Sequence, residues 1–211
     1  MAQELLDIYD EQMNYIGTVP RAEAHAKGYW HKTFQCWIVR VQDQIPYLLF
    51  QKRHPRKDSF PGKLDKSSAG HLVAGETVAD GVRELREELG ISVSFDELIP
   101  CGVVRVTDET HEGIVDREFC HVFIYESNRP LHAYRLKSDE VSGLYQVRVD
   151  DFAKLVRGQI SSVSAEGLEP DDSGQMRRVV KKVSIDDFTP QNDTYFDMLF
   201  HKLEQLAYLR E

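Results

Sequence analysis

Apolar residues recur at helical spacing in two stretches and alternate with polar residues in several others, and these two periods divide the chain. Val78, Val82, Leu85 and Leu89 share one side of a helix predicted over residues 77–89, with Gly90 placed to close it. Tyr195, Phe196, Leu199, Phe200, Leu203, Leu206 and Leu209 form the apolar side of a second helix, residues 192–209. β-rich runs at 33–41 and 47–52 flank a polar turn, and further strands are predicted at 5–9, 15–19, 67–72, 99–106, 117–125, 144–149 and 178–184. Short helices fall at 21–27, closed by Gly28, and at 150–157. Residues 158–178 have the character of a loop. Strands interleaved with a few helices define an α/β (α+β) layered sandwich.

A chain of 211 residues suits one domain, 1–211. Its core is expected at about 30–157, with an N-terminal hairpin and helix (1–29) and a C-terminal helical extension (158–211) packed on it. The apolar face of the last helix serves that packing or a dimer contact, so monomer and homodimer both stay open. The net charge of −9 excludes the broad basic surface of a protein that binds nucleic-acid polymers nonspecifically. An anionic ligand then needs a local cationic patch or bridging metal ions. Three cysteines (Cys36, Cys101 and Cys120) are an odd number without zinc-knuckle spacing, which points to a reduced, cytoplasmic setting. The acidic N-terminus lacks the apolar segment of a signal peptide, and no apolar run is long enough to span a membrane.

The chemistry concentrates in GHLVAGETVADGVRELREELGI, residues 70–91. On a helix, Glu84, Glu87 and Glu88 stand at i, i+3 and i+4 and share a face. Three carboxylates so close repel one another unless a cation sits among them. Oxygen donors favour a hard ion, Mg²⁺ or Mn²⁺, able to bridge phosphate oxygens. RELREEL alone is ordinary for a solvated helix. The ordered Gly70, Gly75 and Glu76 ahead of it are not. This string resembles the Nudix box, G-x5-E-x7-R-E-U-x-E-E-x-G-U, where U is aliphatic. Gly70, Glu76, Arg83, Glu84, Leu85, Glu87, Glu88, Gly90 and Ile91 match, but six residues separate Glu76 from Arg83 where the pattern has seven. The resemblance implies a Nudix-type α/β/α sandwich with a mixed sheet and the box as loop-helix-loop. It also implies a hydrolase that cleaves a diphosphate linkage in a small molecule, and it places the Gly70 carbonyl with Glu84, Glu87 and Glu88 at the metal. Arg83 is expected to orient Glu87, and Glu76 to add a fourth carboxylate.

A narrower resemblance, from about Leu6 to about Arg157, is to type 1 isopentenyl diphosphate isomerases. It rests on IYDEQMNYIGTVPRAEAH, HKTFQCWIV, LLFQKRHPRKDSFPG, SSAGH and GIVDREFCHVF. It implies a second metal set of His25, His31, His71, Asp116 and Glu118, a mixture that suits Mn²⁺ or Zn²⁺. Asp116 stands where the isomerases carry Glu, and the spacing from His25 to His31 is one residue shorter than theirs. The isomerases also place a cysteine before the Gly-His pair. Here that residue is Ala69, which cannot move a proton.

The basic run after the second long strand, with Lys52, Arg53 and Lys57, supplies the cationic patch, and the isomerase resemblance puts Arg53 and Lys57 on the diphosphate. Glu87, Glu118 and Glu140 are alternative general bases. The leading expectation is a Mg²⁺- or Mn²⁺-dependent diphosphohydrolase acting on a prenyl diphosphate or a nucleoside diphosphate derivative. An isomerase-like enzyme and a non-catalytic Nudix-fold binding module are the alternatives.

Overall fold

The computed structural model of the protein describes residues 4–109, 115–171 and 173–209. In chain order the elements are β1 (Leu5–Tyr9), β2 (Tyr15–Pro20), α1 (Arg21–Lys27), β3 (Trp30–Gln42), β4 (Ile45–Arg53), β5 (Leu64–Asp65), β6 (Ser68–His71), α2 (Arg83–Leu89), β7 (Ile99–Glu109), β8 (Val115–Glu126), β9 (Val141–Arg148), α3 (Val149–Val156), β10 (Val163–Pro170), β11 (Met176–Val183) and α4 (Asp193–Gln205).

β3 is the axis of a mixed sheet. β8 runs parallel along one edge of it, and β7 adds antiparallel to β8. The other edge is shared in succession by β1 at residues 30–31, β6 at 33–36 and β4 at 39–42. Beyond β4 come β9, β10 and β11. Ser67 wedges the point where β3 and β4 part. Its hydroxyl donates to the Leu49 carbonyl (2.5 Å) and accepts from the Ile38 N–H (2.8 Å). The wedge lets β5 stay with β4 while β6 joins β3.

Strict alternation along β3 and β4 builds two cores. Trp37, Val39, Leu48 and Phe50 pack with Phe152 of α3 and Tyr195, Phe196 and Leu199 of α4. Phe34, Cys36, Ile38 and Leu49 pack with Leu85 and Leu89 of α2. The sheet is therefore sandwiched between helices, the layering the sequence implied. Each buried Leu or Phe contributes about 1.5–3 kcal/mol, so β3 is anchored on both faces.

The single helix expected at 77–89 is two pieces. A 3-10 turn at Val78–Val82 begins with a reciprocal cap between Thr77 and Asp80 and leads into α2. Gly81 lets this turn lie against the sheet, since a Cβ there would meet the Phe34 ring at 2.5 Å. A 3-10 turn rises about 2.0 Å per residue against 1.5 Å in an α-helix. Six residues therefore reach as far as a longer α-helical link, which absorbs the missing residue of the box. Gly90, at φ 67°, closes α2 in the left-handed region.

The expected loop at 158–178 is corrected by β10, whereas β11 falls where a strand was expected at 178–184, and together they carry the sheet two strands further. Gly167 hid β10 from a propensity argument. It stands opposite Tyr145, whose ring occupies the space a Cβ would need, 2.5 Å away.

Candidate active site

A cavity of about 480 Å³ opens over the divergence of β3 and β4. Its lining is almost wholly polar, with Phe60, Val106 and Ala69 among the few apolar side chains. Glu84 and Glu87 reach it from α2, Gly70 and His71 from β6, and Asp116 and Glu118 from β8, and Arg53, Lys57 and Glu140 line it as well.

The three helix carboxylates occupy different places. Glu84 is buried and packs on Gly70, where a Cβ would lie 2.2 Å from its carboxyl carbon. Burial raises its pKa to about 7, with the Arg83 charge opposing and Glu87 adding to the rise. Glu87 is 42% exposed at the rim. Glu88 lies deeper, behind β6, and accepts from Ser68 Oγ (2.6 Å), the Ala69 N–H (3.1 Å) and Gln51 Nε2 (3.3 Å). Burial pushes its carboxyl up to about 8. A cation beside Glu84 would offset that desolvation, so oxygen donors of this kind fit Mg²⁺ or Mn²⁺.

Arg83 serves Glu76 more than Glu87. Its Nε and Nη2 donate to the two Glu76 oxygens at 2.7 and 3.0 Å, and Nη2 also donates to the His71 carbonyl at 2.8 Å. Nη1 pairs with Glu84 and stays 3.6 Å from Glu87. Glu76 also accepts from the Val73 N–H at 2.9 Å. It is thus a brace for Arg83, in place of the fourth carboxylate expected at the metal.

His25, His31 and His71 come from α1, β3 and β6, and their ring centroids lie 5.0–5.2 Å apart. Gly28, at φ 62°, ends α1 and turns the chain straight into β3, which brings His25 and His31 together. His31 Nδ1 donates to the Tyr29 carbonyl at 3.0 Å, so Nε2 is the ring nitrogen turned inward. That atom is 3.3 Å from Asp116 Oδ1, and His25 Nε2 is 3.8 Å from it. All three atoms are buried without a hydrogen-bond partner, an arrangement that costs free energy unless a cation satisfies it. Burial lowers the His25 pKa to about 4, favouring the neutral ligand form. His71 Nε2 lies 4.0 Å from Glu118 Oε1. Among the described residues, the three-donor groups within 4.8 Å of one another are His25–His31–His71 and His31–Asp116–Glu118. The helix carboxylates form no such group. The residue set fits a divalent cation that accepts mixed nitrogen and oxygen donors.

The basic residues separate. Arg53 lines the cavity but is committed to Asp65 Oδ2 (2.9 Å) and to Ser59. Lys57 reaches Glu140 at 2.9 Å. Lys52 does not line the cavity. It is the penultimate residue of β4, so alternation turns it away from Arg53 and onto Glu169 at 2.6 Å. Its expected role on the substrate is therefore withdrawn. Burial works against charge at Glu140, but Lys137 and Lys57 outweigh it and lower its pKa, which makes Glu140 a poor proton acceptor.

Lys66 was not singled out by any motif. Its side chain is 9% exposed, its Nζ sits 3.4 Å from Asp65 Oδ1, and it lines the cavity. Burial disfavours its charge, yet Asp65, Cys120 and Glu118 together outweigh that and raise its pKa, so it stays cationic. Gln35 and Thr33, also missed, both donate to Glu118 Oε2 at 3.3 Å.

A sandwich with this loop-helix-loop and its carboxylate helix over a polar cavity is a Nudix architecture, and the NUDIX domain family matches residues 30–166. The chain belongs to the Nudix family. It is 43% identical over 204 residues to an uncharacterised Nudix hydrolase of Clostridium acetobutylicum, covering 96% of this chain and 98% of that protein. It is 30% identical over 169 residues to an isopentenyl-diphosphate Δ-isomerase of Cutibacterium acnes, covering 77% and 82%. Among solved structures, the Deinococcus radiodurans protein DR0079 superposes with a TM-score of 0.54 at 22% identity, covering 74% of this chain and 89% of that one. No helix among the described residues is long and apolar enough to cross a membrane.

Proposed function

We propose that the protein is a Mg²⁺- or Mn²⁺-dependent hydrolase that cleaves the diphosphate linkage of a small, hydrophilic substrate. The observation that carries this reading is one polar cavity lined by both kinds of charge: Glu84, Glu87, Asp116, Glu118 and His71 together with Arg53, Lys57 and Lys66, with His25 and His31 beside His71. Glu84 beside Gly70, and His25, His31, His71, Asp116 and Glu118, are the groups that would hold cations. When bound, a divalent cation supplies Lewis acidity toward phosphate oxygens and water. The side chains do the rest. Lys66 and Lys57 neutralise the phosphate oxygens, and Arg53 holds Asp65 so that Lys66 stays charged and aimed. Arg83, clamped by Glu76, fixes Glu84. Glu87, exposed at the rim, accepts the proton of the attacking water. The scarcity of apolar lining disfavours a prenyl chain, which needs an apolar sleeve.

The isomerase reading rests on the His–Asp–Glu cluster and the 30% identical relatives, and Ala69 opposes it, because the position before Gly70 carries no acid or base. One experiment separates the two. Purified protein with Mg²⁺ or Mn²⁺ is offered isopentenyl diphosphate, dimethylallyl diphosphate and a panel of nucleoside and sugar diphosphates, and products are identified by mass spectrometry. Monophosphate products that vanish in Glu87→Gln support the hydrolase. Interconversion of the prenyl isomers without phosphate loss refutes it, and turnover of nothing in the panel favours a binding module.

A further inference from the structure

We propose that Trp37, Tyr195 and Gln35 form a one-way hydrogen-bond chain that positions Glu118, making the C-terminal helix α4 part of the active site's support. The inference rests on the reading of Glu118 as a cation ligand.

All three residues are buried, at 2% exposure or less. The Trp37 indole N–H, which can only donate, gives its hydrogen to the Tyr195 hydroxyl oxygen at 3.0 Å. The Tyr195 hydrogen must then go elsewhere, and it goes to Gln35 Oε1 at 2.8 Å. With its oxygen so engaged, the Gln35 amide can present only Nε2 on its other side. Nε2 donates to Glu118 Oε2 at 3.3 Å. A reversed amide would set its N–H donors against the hydroxyl's hydrogen at one end and its oxygen against the carboxylate at the other. The donor-only indole therefore fixes the sense of every bond that follows.

Thr33 Oγ1 and Cys120 Sγ also donate to Oε2, each at 3.3 Å. Donors thus converge on one oxygen of Glu118. Oε1 is left facing His71, on the side where the three histidines gather. Tyr195 is itself pinned at the start of α4. Asn192 accepts from the Tyr195 N–H at 2.9 Å, while its Nδ2 donates to the Arg105 carbonyl of β7 at 3.1 Å. The cap, the first turn of α4, β3 and β8 are joined in one network. No motif marks it in the sequence, because its members come from positions 35, 37, 118, 192 and 195.

Tyr195→Phe removes one oxygen without changing shape, and Gln35→Leu removes the donor at similar volume. The test is Mn²⁺ binding to the full-length protein, measured by titration well below each variant's thermal midpoint. Glu118→Gln defines which class of Mn²⁺ site depends on Glu118. In Tyr195→Phe and Gln35→Leu, the affinity of that class is expected to fall about five- to tenfold, the scale of one ordinary hydrogen bond. A purely structural role would lower the midpoint and leave the affinity unchanged. Wild-type Mn²⁺ affinity in both variants, with the site lost in Glu118→Gln, overturns the chain and leaves the cation-ligand reading intact. A Glu118→Gln protein that binds Mn²⁺ as the wild type does overturns that reading and the chain with it. If either variant fails to fold, the other decides.

Discussion

Alanine at position 70 would place its Cβ 2.2 Å from the carboxyl carbon and one oxygen of Glu84, and 2.6 Å from the other oxygen. Ordinary contact begins near 3.4 Å, so the carboxylate must withdraw by roughly 1 Å. The obstacle is the far end of a flexible side chain, so the fold can yield. The expected loss of stability in Gly70→Ala is only about 1 kcal/mol, the low end for overpacking. Function cannot yield in the same way. Misplacing a catalytic group by about 1 Å costs on the order of 100-fold in rate, and a fall of that order in kcat/KM is expected. Gly81→Ala is the counterpart. Its Cβ meets the buried Phe34 ring at 2.5 Å, which has no room to move, so about 2–3 kcal/mol of stability should go. Urea denaturation and hydrolysis of the identified substrate, measured on both variants, separate the cases. A Gly70→Ala protein with wild-type activity would refute the placement of Glu84. One that unfolds would refute the claim that its carboxylate can move aside.

The remaining predictions concern the charged floor of the cavity. Asp65 is fully buried; burial alone would raise its pKa, but Lys66 and Arg53 outweigh it and lower it. Its contribution to stability is therefore present above the unfolded pKa of about 4 and is lost as pH falls through the lower folded value. Asp65→Asn should cost about 3–5 kcal/mol near neutral pH, and the gap to wild type should narrow as urea melts are taken from pH 6 to pH 3. Lys66→Gln should raise KM about tenfold with kcat little changed, because a charged hydrogen bond to substrate phosphate is lost. Steady-state kinetics with unchanged KM would remove Lys66 from the substrate.

The frame of the fold was legible where one period dominates. β3, β4 and α4 sit close to their expected positions because each buries a face that the sequence marks with alternating or helical apolar residues, and α1 does so because Gly28 closes it. β10 was not legible, since Gly167 is selected there for contact with Tyr145, and small residues at the contact look like loop. The box was readable as a string, yet spacing alone could not show that a 3-10 turn would absorb the missing residue or that Glu76 would face Arg83. Lys52 was misplaced because a basic run carries no face, whereas a strand does. His25, His31, His71, Asp116 and Glu118 came from a resemblance. Positions 25 to 118 are joined only by the sheet, and no local pattern announces that four elements converge. Lys66 and Gln35 lack any motif, and their importance comes wholly from burial and partners.

The central claim is water attack on a phosphorus atom in this cavity. A turnover in H₂¹⁸O with Mg²⁺ or Mn²⁺ tests it most directly, with products read by mass spectrometry and Glu87→Gln as control. One ¹⁸O in one of the two phosphate-bearing products, absent in the control, is the predicted result. Product formed without ¹⁸O, or deuterium entering the carbon frame of isopentenyl diphosphate from D₂O with the diphosphate intact, would contradict it.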